Sequence, residues 1–222
     1  FGVQGFLSGN TGTQTGGWFR DELKSLDDVK GVRFRTPGLG GRVWEKLGAT
    51  VTNMAAGEIF QALQSGTLDA AEFVGPYNDL ALGFHQVAKN YYMPSFVESG
   101  LATELVVDKK KYQELPEDLQ AIIRDVSQAE YDQVAADFYA NDPRALKTLV
   151  EEHGVTVRNF PDDIMEAGAK ASVEVLEELR SSDDPLVKKT AESFVEALNL
   201  VRTRTEKIDS PYVQARQSFL KY

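Results

Sequence analysis

The stretch ATVTNMAAGEIFQALQSGTLDAAEFVGPYND, Ala49 to Asp79, carries the pattern from which the fold class follows. ATVTNM (49–54) reads as a strand. AGEIFQALQSG (56–66) spaces its apolar residues along one helix face and stops at glycine, and LDAAEFV (68–74) returns to a strand-like apolar run before Gly75-Pro76. Upstream, GVRFRT (31–36) alternates as a strand, Pro37-Gly38 breaks it, and GGRVWEKLG (40–48) is helical with a terminal glycine. Strand, helix, strand, helix, strand in quick succession predicts an α/β fold with a parallel or mixed sheet. In such sheets ligands settle beyond the carboxyl ends of the strands.

Within the run 68–74, Glu72 is out of place among Leu68, Ala70, Ala71, Phe73 and Val74. Burial without a partner costs roughly 2–7 kcal/mol for a neutral polar group, and more for a charge. A second acid, Glu98 in PSFVESG, ends another aromatic strand. Carboxylates at strand ends suggest either a site for a hard cation or a proton-sharing pair, and Gln14, in a Gly-rich loop, would add a neutral oxygen. Arg35 ends GVRFRT beside the turn at Gly38. Its planar guanidinium is suited to grip a carboxylate with parallel bonds, or it pairs with a structural acid.

The remaining chain fills out the α/β reading. FGVQGFLSGNTGTQTGGWF (1–19) is a strand or loop ending in turns, and 21–28 is a polar helical segment. A helix is expected around 77–87, strands at 89–97 and 103–108, and a long helix from Pro116 through about residue 140. Another helix precedes His153-Gly154, a strand covers 155–160, and helices at 162–180 and 185–205 lead to a tail ending at Tyr222.

Composition removes several function classes. Lys and Arg number 24 against 34 Asp and Glu, a net charge of −10, so nucleic acid is electrostatically disfavoured as a partner. There is no cysteine, hence no disulfide, thiolate nucleophile or Cys-bound metal. No apolar run reaches the ~18 residues of a membrane span. The chain opens at Phe1 without an initiator Met, as if cut from a longer protein, in which case any export signal would lie outside it. TPGLGG fails as a dinucleotide fingerprint because its third glycine position is Val43, and NTGTQTGG lacks the Gly-Lys-Ser/Thr of a phosphate loop. His85 and His153 stand far apart in sequence with no triad pattern, and read as surface or satisfied core residues.

NTGTQTGGWF (10–19), SLDDVKGVRFRTPG (25–38), GEIFQALQSGTLDAAEFVGPYND (57–79), LGFHQVAKNYYMPSFVESG (82–100) and NDPRALKTLVEEHGVTVRNFPDDIMEAGAKAS (141–172) together resemble the solute-binding subunits of TRAP transporters, the DctP-type family. The similarity is greatest to the branch that binds 2-oxo acids such as pyruvate, and lactate-type monocarboxylates, with a metal ion. It implies a two-lobe, type II-like periplasmic-binding-protein fold with mixed sheets, a long lobe-spanning helix and a helical C-terminus. Residues 1–100 would form mostly lobe II, 101–140 return through lobe I, 141–180 complete lobe II, and 181–222 pack on lobe I or mediate a homodimer; most of lobe I would be missing.

Carried over by position, the resemblance gives Arg35 the substrate carboxylate and places Gln14, Phe73 and Trp18 beside the substrate. Gln14, the Glu72 carboxylate, the Phe73 carbonyl and Glu98 would ligate sodium or calcium. Phe73 stands where the pyruvate branch has Trp, and FVESG where it has WWEGG, which changes the pocket wall. The implied role is periplasmic delivery of a small monocarboxylate to TRAP membrane subunits, without catalysis. The competing reading is a metal-assisted enzyme acting on a small 2-oxo acid, with Glu72 or Glu98 as base; a third is a helical interaction module.

Overall fold

The alternation between Gly31 and Val74 is realised as parallel strands joined by helices. The computed structural model describes residues 1–220; residues 221 and 222 of the expected C-terminal tail lie outside the described residues. In chain order the elements are β1 (Val3–Asn10), β2 (Gly17–Phe19), β3 (Arg33–Arg35), α1 (Gly38–Lys46), β4 (Thr50–Thr52), α2 (Ala56–Ser65), β5 (Ala70–Ala71), α3 (Pro76–Leu82), β6 (Asn90–Tyr92) and β7 (Ala102–Asp108). They continue with α4 (Lys109–Glu114), α5 (Glu117–Glu151), β8 (Thr156–Arg158), α6 (Asp162–Arg180), α7 (Pro185–Arg204) and α8 (Ser210–Phe219). A π-helical turn, Thr205–Asp209, links the last two. The chain forms two compact units, 1–171 and 172–222.

In the first unit, six strands form a mixed sheet in the order β4-β3-β5-β2-β6-β8. β3 is parallel to β4 and β5, β6 is parallel to β8, and β2 runs antiparallel between β5 and β6. Successive side chains of a strand point to opposite faces, so β2 sends Trp18 one way and Phe19 the other. Trp18 stacks on Tyr91 and packs with Ile59 and Leu63 of α2, Leu68, Phe84 and Leu149. Phe19 meets Phe34, Trp44, Tyr92 and Phe160 on the opposite face. Both faces are therefore dry and aromatic, as expected of strands covered on each side. A separate antiparallel ribbon pairs β1 with β7, and β1 packs against α5.

Several expected elements are shorter. The segment 21–28 is helical only as a 3-10 turn over Leu26–Val29. The strand read at 68–74 pairs only at Ala70 and Ala71, and the one read at 89–97 ends at Tyr92, before Pro94, which has no N–H for a ladder. The helices expected on either side of Pro143 are one helix of 35 residues. An interior proline costs about 3 kcal/mol locally. Tertiary contacts carry the helix through it: α5 packs along β1 and α3, and Asp142, beside the proline, accepts from Tyr77 N at 2.9 Å at the start of α3.

The second unit is helical. Asp184 caps α7 by accepting from Leu186 N at 2.8 Å, and Pro185 occupies the first helical turn, where its missing N–H costs nothing. No helix among the described residues is long and apolar enough to cross a membrane.

Candidate functional site

β3 and β5 end side by side. Their parallel register sets Arg35 opposite Ala71, so the next residue, Glu72, leaves the sheet against Arg35. Glu72 N donates to Arg35 O at 2.9 Å, and Arg35 Nη1 donates back to Glu72 O at 2.5 Å. Arg35 Nε donates to Met54 O at 3.1 Å, and the guanidinium carbon stands 5.6 Å from the centre of the Phe73 ring. The side chain is thus braced by main-chain oxygens, with Nη1 3.9 Å from Glu72 Oε2 as its nearest ionic contact. Arg33, two residues earlier, is different: it grips Asp69 with two bonds at the surface, a structural pair.

Glu72 is only 2% exposed. Its Oε2 accepts a long bond from Thr36 Oγ1 at 3.4 Å, and its Oε1 is buried with no partner among the described residues. Burial, reinforced by the nearby Glu98 and opposed by Arg35, pushes its carboxyl up to about 8. Gln14 has the same deficit, with Nε2 donating to Thr11 Oγ1 at 3.1 Å and Oε1 buried and unpartnered. Its loop is stitched to the same place. Thr15 N donates to Val74 O at 3.1 Å, Ser95 N donates to Gln14 O at 3.2 Å, and Gly17, at φ +109°, lies so close that a Cβ would stand 2.7 Å from Ala71 O.

Glu98 arrives on the loop between β6 and β7, half-buried, its N–H held by Ser95 Oγ at 3.0 Å. Burial raises its carboxyl and Arg35 lowers it. Its loop closes on the Gln14 loop through Leu101 N to Thr11 Oγ1 and Thr11 N to Leu101 O, each 3.0 Å. Gly100 makes this approach fit, since a Cβ there would meet Gly12 O at 2.4 Å. Arg35, Glu72, Phe73, Gln14 and Glu98 are therefore carried by strand tips and loops bonded to one another.

Residues 3–183 match the model of the bacterial extracellular solute-binding protein family 7, DctP. The chain belongs to this family. Over 183 residues it is 38% identical to a monocarboxylate 2-oxoacid-binding periplasmic protein of Nostoc, a match covering 82% of this chain and 50% of that protein. Its fold superposes with TM-score 0.90 on a TRAP periplasmic solute-binding protein of Pseudoalteromonas atlantica with bound sodium and pyruvate, 36% identical, covering 96% of this chain and 64% of that one. A second, from Colwellia psychrerythraea with bound calcium and pyruvate, gives TM-score 0.90 at 38% identity, over 96% and 65% of the respective chains. The chain thus spans about half the length of the curated relative and under two thirds of these structures.

In this DctP-family chain the donor set suits a hard cation. Two buried oxygens lack donors, the nearby Glu98 adds a carboxylate, and every candidate ligand is oxygen. The set is mixed: no group of three His, Cys, Asp or Glu that could hold a metal occurs among the described residues. Trp18 stands apart from these groups. It is fully buried on the core face, stacked on Tyr91 at 4.0 Å between ring centres, and its Nε1 donates to Asp79 Oδ2 at 2.8 Å. That is a packing and hydrogen-bonding role; nothing in its contacts turns it toward Arg35. His85 and His153, distant in sequence, stack at 4.2 Å between ring centres.

Sequence reasoning passed over Thr36, Thr11 and Asp79. Thr36 and Thr11 bond Glu72 and Gln14, and Asp79 accepts bonds from both Trp18 and Tyr91. The signal available was Asp79 in GPYND, but an acid in the first turn of a helix is ordinary.

Proposed function

We propose that this chain is the ligand-gripping part of an extracytoplasmic TRAP solute-binding protein, in which a small monocarboxylate, a 2-oxo acid such as pyruvate or else lactate, is held together with sodium or calcium. The observation that carries the reading is the buried, unpartnered Glu72 Oε1 beside a guanidinium braced at two of its nitrogens. Arg35 Nη2 remains to meet a ligand carboxylate, and Phe73 forms the wall beneath the guanidinium. Glu72, Gln14, Glu98 and the Phe73 carbonyl would hold the cation. A cation held there would offset the Glu72 charge and offer positive charge to the ligand's oxygens.

The names of the relatives, all binding proteins, support a receptor and give no support to the enzyme reading. Under this reading residues 1–100 and 141–180 supply mostly one lobe, α5 is the lobe-spanning helix, and the periplasmic partners are the transporter's membrane subunits. Phe194, Leu198 and Val201 form an exposed apolar stripe on α7, the surface through which two copies would pair.

Thermal unfolding with pyruvate or lactate, with calcium or sodium or with chelator, tests the proposal. Ligand at about 100 times its Kd is expected to add about 2.7 kcal/mol of stability, only when cation is present, with no consumption of the acid by NMR. Stabilisation equal in chelator, or turnover of the acid, would contradict it.

A further inference from the structure

Behind the proposed cation seat lies a charge that the binding account does not use. Asp79, on α3, is 0% exposed. Its Oδ2 accepts from Trp18 Nε1 at 2.8 Å and from Tyr91 Oη at 2.7 Å, and Val74 N approaches Oδ1 at 3.5 Å. Tyr91 Oη in turn accepts from Thr15 Oγ1 at 3.0 Å, which leaves its own proton for Asp79. Every contact is a donor, so the geometry is that of a bound carboxylate, since a carboxylic acid would need an acceptor for its proton.

Among the described residues no basic side chain is bonded to it. The other ionisable groups around it are Asp142 from α5, Glu72 and the Tyr91 phenol itself. The segments that bind Asp79 are those that carry the proposed ligands: Thr15 follows Gln14, and Val74 follows Phe73. Glu72 feels the charges of Glu98 and Asp79 against one guanidinium, Arg35, an excess of negative charge that a monovalent ion only partly relieves.

We propose that Asp79, without touching the ion, is a positioning and specificity-determining residue that biases this seat toward a divalent cation. The inference rests on the proposed cation-binding reading. Its physical basis is that Coulomb energy scales with the ion's charge, so a fixed negative group near the seat contributes twice as much to a divalent ion as to a monovalent one. Loosened packing would weaken both ions alike.

The test is calorimetric titration of calcium and of sodium, separately, into the wild-type chain, Asp79→Asn and Tyr91→Phe at pH 8.5. Asp79→Asn is expected to weaken calcium about tenfold and sodium about threefold, lowering the calcium-to-sodium affinity ratio about threefold. Tyr91→Phe removes one donor and keeps the charge, so the ratio should hold even where both affinities fall. Equal losses for the two ions in Asp79→Asn would overturn the proposal. Should that variant fail to fold, a ratio shifted threefold or more by Tyr91→Phe overturns it and an unchanged ratio supports it. Wild-type chain that binds neither ion would overturn the cation-binding reading and this inference with it, whereas wild-type binding with an unmoved ratio in Asp79→Asn sinks this inference alone.

Discussion

Arg35→Lys is expected to weaken pyruvate or lactate binding on the order of 100-fold, about 3 kcal/mol, the upper range for losing hydrogen bonds to a charged group. Charge is retained, so the loss measures geometry. Arg35 spends Nε on Met54 O and Nη1 on Glu72 O, and its plane is fixed by those bonds before any ligand arrives. A lysine ammonium has no plane to fix and must choose between bracing the strand tips and meeting the carboxylate. Calorimetry of the ligand against both proteins, in saturating calcium, reads the difference. An affinity within threefold of wild type would remove Arg35 from the site.

Glu72→Gln is expected to abolish cation-dependent stabilisation and to make the ion-free protein more stable at alkaline pH than the wild type. The sign follows from the carboxyl's two environments. In the unfolded chain it titrates near its ordinary value of 4.5, and in the folded protein burial holds it at about 8. Between these values the folded state keeps a proton that the unfolded state has lost, so ion-free stability falls as pH rises from about 4.5 to about 8 and then levels off. The loss amounts to a few kcal/mol at most. Glutamine cannot ionise and should remove the part of the fall that Glu72 contributes, leaving that of Asp79, which burial raises to about 6, while saturating calcium should restore the wild-type protein above pH 8 by pairing the charge. Urea unfolding at pH 5, 7 and 9, with calcium or chelator, separates these cases. A chelated wild-type profile that rises from pH 5 to 9 would show that Glu72 is not the buried acid described here.

Much of the fold was legible because it rests on local signals. The α2 helix ends where its glycine permits a left-handed turn, Gly66 at φ +75°, and the strand-helix alternation from Gly31 to Val74 gave the parallel part of the sheet. Glu72 was legible by contradiction, as a charge in an apolar run. Other features depend on residues remote in sequence. α5 continues through Pro143 because its side chains meet β1 and α3, contacts to which a proline signal is blind. Trp18, which the resemblance places beside the substrate, has its hydrogen-bond partner in Asp79, 61 residues away, and the pleat assigns it to the core face. The same distance hid Asp79. The family resemblance proposes site roles for Arg35, Gln14, Glu72 and Glu98 by position; the hydrogen bonds that tie their loops together are visible only in the structure.

In the proposed site, Glu72 and Gln14 share one cation beside Arg35 through their unpartnered oxygens. The most direct measurement is an anomalous difference map from crystals of the chain grown with terbium, a calcium surrogate. A single strong peak is expected within ligating distance of both Glu72 Oε1 and Gln14 Oε1, lost in Glu72→Gln crystals. A map with no peak there, or with its strongest peak on surface carboxylates and unchanged in Glu72→Gln, would contradict it.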